Sequence, residues 1–275
     1  MISNLKMTVL IDNIAAEPLC AEWGLSIFIE ADNNKILLDT GASELFAQNA
    51  QLLNIPLDNI DFGVLSHAHY DHADGMETFF SKNQTAPFLL SHRCYENCYG
   101  LKEGELHYIG IQPGIMEKYA DRIKYINGSA KISDGVWLVP HRKADYSDFA
   151  LSNDLYMSDG NCHIPDDFGH EQSLVFETEK GLVVFNSCSH TGMINILSDI
   201  EEMLGRKDVY AYIGGLHLFK RSDEEVHALG KEIAATGIQH IFTGHCTGEQ
   251  AFGILKAELG NRLYQIHSGF SVELN

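Results

Sequence analysis

Six consecutive residues carry the clearest chemistry in this chain: His67-Ala68-His69-Tyr70-Asp71-His72. Three histidines and an aspartate follow directly on an apolar run, GVLS. Imidazole nitrogens and carboxylate oxygens are the donors that hold zinc and related divalent ions. If the strand runs on briefly, His67 and His69 project to one side, because side chains repeat every two residues, and they share one ion. A helix starting at Asp71 then lets Asp71 and His72 face a second ion. Two ions about 3.5–4 Å apart can clamp both ends of a displacement. A merely polar loop would be built from Gly, Asn and Ser instead.

The same arrangement recurs along the chain. In VLSHAH, VVFNSCSH, AYIGGLH and HIFTGH an apolar strand ends in a small residue and a histidine follows. Ligands collect at the carboxyl ends of strands in α/β proteins, so His67, His190, His217 and His245 are expected to meet at one edge. Strands are read at MTVLIDN, GLSIFIEA, KILLDTG, DFGVLS and APFLLS, and a hairpin at SLVFETEKGLVVFNS. Helices are read at ASELFAQNAQLLN, DGMETFFSKN, MINILSDIEEMLG, DEEVHALGKEIAATG and EQAFGILKAELG. Strands followed by helices in each half predict an α/β fold, a four-layer αββα sandwich over residues 1–275.

Residues 92–165 differ in texture. They carry Tyr95, Tyr99, Tyr108, Tyr119, Tyr125, Tyr146 and Tyr156 and read as an inserted lid with minor strands, KISDGVWLVP among them. Cys94 and Cys98 are four apart, a spacing that suits one helix face. Six scattered cysteines are too few for a disulfide framework and fit reduced thiols in a cytoplasmic protein. With Lys+Arg 19 and Asp+Glu 38, the net charge of −19 disfavours nucleic acid and anionic membranes as partners. No apolar run approaches the roughly 20 residues that span a bilayer.

The motif His-x-His-x-Asp-His behind a strand, preceded by LLDTG, resembles the metallo-β-lactamase-fold superfamily of metal-dependent hydrolases. EWGLSIFIE, PDDFGHEQSLVF, NSCSHTGMINIL, YIGGLHL and FTGHCTG resemble one branch of it, which includes cytoplasmic hydrolases and a dihydropterin-handling synthase. The resemblance implies that Asp39 orders the metal loop from behind and that His245 is the last histidine ligand. It places His170 as the third histidine, just before the hairpin. It places Cys188 where most members have a bridging aspartate. His190, two residues on, is an alternative ligand, and of the two His190 is expected to carry metal while Cys188 lies close by. His217 matches only the branch and is a candidate substrate-binding or proton-donating residue. Glu171 is a candidate partner for a ligating imidazole. His92, His107, His141, His163 and His267 lie outside these motifs and are read as surface or lid residues.

The expected ligands are therefore His67, His69, Asp71, His72, His170, His190 and His245, holding two divalent ions, zinc first and iron or manganese as alternatives. The expected activity is hydrolysis of an ester, phosphoester or related small molecule by a metal-activated hydroxide, with Asp71 and His217 catalytic. The tyrosines would roof an aromatic, anionic substrate, with Arg93, Lys102, Arg142 and Lys143 available for the charge. Two alternatives stand beside it: a dihydropterin-diphosphate-dependent synthase joining a pterin to an aromatic co-substrate, and a non-catalytic metal-binding or sensor protein.

Overall fold

The computed structural model describes residues 1–141 and 146–274. Two seven-stranded sheets form its centre. The first runs, in spatial order, Ser271–Glu273, Leu5–Ile11, Ser26–Ala31, Asn34–Leu38, Phe62–Val64, Phe88–Ser91 and Ile123–Ile126. The second runs Leu263–Gln265, His240–Thr243, Val209–Ile213, Gly181–Phe185, Gln172–Thr178, Val136–Pro140 and Ala130–Ser133.

Alternation along each strand makes the layers. Leu174, Phe176, Val183 and Phe185 point inward and pack with Val9, Ile27, Ile29 and Leu38 of the facing sheet. Their neighbours Val175, Leu182 and Val184 point outward, onto Met193, Ile196 and Ile200 of helix Met193–Leu204 and onto Leu255 of helix Glu249–Leu259. On the other side Leu10, Phe28 and Leu37 pack on Phe46 and Ala50 of helix Leu45–Leu52 and on Phe79 of helix Met76–Lys82. A strand with period-two apolar residues on both faces needs a layer on each side, and the αββα sandwich provides it. Local signals set the helix bounds. Helix Asp223–Thr236 starts in a capping box, in which Ser222 Oγ accepts the Glu225 amide and the Glu225 carboxylate accepts the Ser222 amide. It stops at Gly237, whose φ of 77° is open to glycine.

The stretch 92–165 is not one inserted lid. Ile123–Ile126 pairs in parallel with Phe88–Ser91, and Val136–Pro140 pairs with Gln172–Thr178, so both are sheet strands. The lid-like part is a separate four-stranded sheet, ordered His163–Pro165, Leu155–Ser158, Cys98–Lys102 and Glu105–Tyr108. Cys94 and Cys98 do not share a helix: Cys98 opens a strand, and its sulfur is buried against His170. His141 is also no surface residue. It is buried, with Nε2 2.9 Å from Ser173 Oγ and Nδ1 3.4 Å from Asp199. Tyr119 stacks on Phe80 beneath the first sheet, and Tyr125 is exposed, so neither roofs a site.

Candidate metal centre

Each histidine-bearing loop leaves the carboxyl end of a strand that runs parallel to its neighbour. Asn34–Leu38 delivers Asp39 and Phe62–Val64 delivers the 67–72 segment. Gly181–Phe185, Val209–Ile213 and His240–Thr243 deliver Cys188 with His190, then His217, then His245. Parallel pairing places all these ends on the same edge. Asp39, Ser189, His217 and His245 have positive φ of 58°, 53°, 48° and 46°. A non-glycine residue held there costs of order 1–3 kcal/mol, a strain that concentrates at functional sites. Gly214 and Gly215 allow the loops to touch: a Cβ on the first would collide with the Asn186 carbonyl, and one on the second with Cys246 Sγ.

Two groups of ligand atoms result. In the first, His67, His69 and His190 form a triangle with ring centroids 4.7, 4.8 and 4.8 Å apart. In the second, His72 Nε2 lies 3.1 Å from His245 Nε2, and Asp71 Oδ2 is 3.8 and 3.4 Å from those nitrogens. The groups adjoin, since the His67 and His72 rings are 4.2 Å apart. Cys188 sits between them, with Sγ 3.2 Å from His72 Nε2 and also grouped with His190 and His217.

The surrounding hydrogen bonds choose which nitrogen faces inward. Asp39 accepts from His72 Nδ1 at 2.8 Å and from the Ser66 amide and hydroxyl, both at 2.7 Å. With its proton committed to Asp39, the Ser66 hydroxyl accepts from His67 Nδ1 at 2.8 Å. Asn13 Oδ1 accepts from His245 Nδ1 at 3.0 Å. In each ring Nδ1 carries a proton, which turns Nε2 toward the place of an ion. Burial, then the neighbouring imidazoles, hold His67 and His190 well below the usual histidine range. Burial and then His170 bring His69 down to about 3. Neutral imidazole is the form that ligates. Burial raises the Asp71 carboxyl, but His72 and His245 more than offset it, so it is ionised. Burial lowers His245, but its bond to Asp71 prevails and lifts it to about 9, so an incoming ion displaces a proton there.

These residues fit divalent ions on one observation above all. Among the described residues, buried His67 Nε2, His69 Nε2 and both ring nitrogens of His190 have no hydrogen-bond partner. Each such orphan costs about 1–3 kcal/mol. A cation shared by the triangle would account for three of the four, one nitrogen from each ring.

His170 stands apart from the triangle. Its Nδ1 accepts from the Ala68 amide at 3.2 Å and its Nε2 faces Asp166 at 3.2 Å. Burial lowers it, but Asp166 and Cys98 raise it well above the ordinary histidine value. Glu171 holds backbone rather than a ring, accepting the amides of His190 and Thr191 at 2.8 and 3.0 Å. His217 lies with its ring 4.3 Å from His190, and its Nδ1 is buried without a partner. Arg93 is paired with Asp167, Lys102 is exposed at a strand end, and Arg142 and Lys143 lie outside the described residues. Sequence reasoning missed Asp12 and Asn13, which hold the His245 amide and ring. Their only signal was a polar pair at the end of the first strand. It also missed Trp23, 43% exposed, whose ring lies 5.1 Å from His245 and 5.3 Å from Phe219.

Asp39→Ala is expected to remove the acceptor that orders His72 and Ser66 together. Unpairing so buried a group costs about 3 kcal/mol, and loss of such a partner weakens metal binding about 10–100-fold. Denaturant unfolding and competitive metal titration measure the two effects.

Residues 24–151 match the family model of the Metallo-beta-lactamase superfamily. Over 98% of its length it is 28% identical to the 7,8-dihydropterin-6-methyl-4-(beta-D-ribofuranosyl)-aminobenzene-5'-phosphate synthase of Methanocaldococcus jannaschii, covering 96% of that protein. An uncharacterized protein of the same organism is 28% identical over 93% of this chain and 95% of its own. A crystal structure of a metal-dependent hydrolase of the beta-lactamase superfamily superposes with a TM-score of 0.83 at 28% identity, over 98% of this chain and 99% of that one. The metallo-beta-lactamase fold protein YhfI from Bacillus subtilis shares the fold, with a TM-score of 0.57 at 12% identity over 98% of this chain and 100% of that one.

Proposed function

We propose that the protein is a metal-dependent hydrolase of small esters or phosphoesters. The observation that carries this reading is the pair of adjoining ligand groups, one of them lined with orphaned imidazole nitrogens. His67, His69 and His190 would hold one divalent ion; Asp71, His72 and His245 would hold a second, with Cys188 between them. Ions held there supply Lewis acidity and bring the pKa of water near 7. Zinc is the first choice, because a thiol beside the imidazoles favours it over iron or manganese. The Asp71 carboxylate, ionised and within reach of both His72 and His245, orients the attacking group. His217 Nδ1, unpaired and one ring away from His190, donates a proton to the departing group. Trp23 and Phe219 offer a rim against which a flat portion of the substrate can lie. The reading places the protein in the cytoplasm: all six cysteines are unpaired, a state that a reducing compartment preserves. Among the described residues no helix is long and apolar enough to cross a membrane.

A second reading is favoured by the similarity to the synthase, which spans nearly the whole of both chains. In it the same site releases diphosphate while an aromatic co-substrate is joined to a pterin. One experiment separates the two. The purified, metal-analysed protein is offered phosphodiesters, lactones, thioesters and β-lactams, and separately a dihydropterin diphosphate with an aromatic amine. Cleavage of a panel member supports the hydrolase. Diphosphate release that requires the aromatic partner supports the synthase. Stoichiometric metal without either reaction overturns both in favour of a binding or sensing role.

A further inference from the structure

Beside the two groups lies a third set of donors: Cys98 Sγ, Asp166 carboxylate, His170 Nε2 and His69 Nε2. All four residues are buried, and their ligand atoms lie within 4.8 Å of one another. They come from separate parts of the chain: the strand Cys98–Lys102, the loop before Gln172–Thr178, and the 67–72 segment. We propose that this is a further metal-binding site, suited to zinc, distinct from the two described above.

The spacing supports it. Ligands bound at 2.0–2.3 Å in a tetrahedron stand about 3.3–3.8 Å from one another. Here Asp166 Oδ2 is 3.2 Å from His170 Nε2 and 4.0 Å from His69 Nε2, and Cys98 Sγ is 3.7 Å from His170 Nε2. The chemistry supports it too. One thiol, one carboxylate and imidazole are the donors of zinc sites. Among the described residues no lysine or arginine pairs with Asp166, although it is fully buried; its contacts are the imidazoles of His69 and His170 and the Phe168 amide. The buried carboxylate is paired with His170, and an ion bound between them would stand in for that pairing. His69 Nε2 lies 4.0 Å from Asp166, but its one lone pair is counted in the first group. Cys98, Asp166 and His170 are the site's own donors, and His69 lies on its border with the first group. Binding releases the Cys98 thiol proton to solvent; His170 binds through Nε2 as a neutral imidazole with its proton on Nδ1, which gives up the Ala68 amide bond.

The inference does not depend on which reaction the protein performs, because its test counts ions and never turnover. The full-length protein, stripped of metal, is dialysed against Co²⁺, and bound equivalents are counted together with thiolate-to-cobalt charge-transfer absorption. The wild type is expected to bind about three equivalents. Cys98→Ser is expected to bind about two and to lose part of the thiolate absorption, whereas Cys188→Ser keeps the part that Cys98 supplies. Asp166→Asn, checked for an unchanged circular dichroism spectrum, is expected to lose one equivalent as well, and covers the case in which Cys98→Ser fails to fold. Two equivalents in the wild type, undiminished in both variants, would overturn the proposal. So would three in both variants. Lower metal affinity of the first group in Asp166→Asn, at an unchanged count, would mean that these side chains only brace His69, and would overturn it equally.

Discussion

Asp71→Asn is expected to lower turnover at least about 100-fold, the upper range seen when even an indirect metal partner is lost, while leaving the fold intact. The amide replaces one carboxylate oxygen by an NH2 of nearly the same size and removes the charge, so packing is preserved. The charge is what matters. Asp71 stays ionised despite burial only because His72 and His245 stand beside it. An amide brings no charge to offset a divalent ion and no longer holds the proton on His245. Two measurements follow: initial rates on whichever substrate the screen identifies, and metal content after dialysis. A variant with wild-type turnover and wild-type metal would remove Asp71 from the site. Circular dichroism and the unfolding midpoint, expected to change little, separate this loss from misfolding.

His190→Ala is expected to lose about one metal equivalent and nearly all activity. His67 and His69 leave one short segment, and His190 supplies the third corner of their triangle from the opposite sheet. Removing it leaves two donors for an ion that normally takes at least three from the protein. The contrasting variant is Cys188→Ser. It is expected to keep most of its metal, because each group retains three nitrogen or oxygen donors without the sulfur. The reverse pattern, metal lost with Cys188→Ser and kept with His190→Ala, would make the thiolate the principal ligand and His190 a bystander. Burial pushes the Cys188 thiol well above its ordinary value, so a metal bound through sulfur would also show metal uptake that falls steeply as pH drops.

What was legible in the sequence was chemistry tied to a local period. The 67–72 segment announced itself because no structural role calls for three histidines so close together. The hairpin from Gln172 to Phe185 could be read because two apolar runs, residues 174–176 and 182–185, are joined by a turn with Glu-Lys-Gly. Long-range pairing was not legible. Nothing local in Ile123–Ile126 says that it lies beside Phe88–Ser91, and so a sheet strand was read as part of an insertion. Cys94 and Cys98 have a spacing that fits a helix, but the Gly and Tyr that follow pair as a strand. Asp12, Asn13 and Asp166 escaped notice because a polar residue at a strand end is chemically indistinguishable from a turn former until its partner is placed. His170 was assigned by its position before the hairpin, and position alone does not reveal that Ala68 and Asp166 occupy its two nitrogens.

The small four-stranded sheet has its own consequence. It is sewn to the ligand loop itself: the Tyr70 amide donates to the Ile109 carbonyl at 2.9 Å, and His69 bridges Gly110. Tyr70 stands between His69 of one group and Asp71 of the other. A displacement of this sheet would therefore pull on the backbone that sets the distance between the two groups. A homologous loop grafted here to admit a larger molecule would arrive with its own ligand spacing. On the proposed reading, substrate range and metal preference would change together.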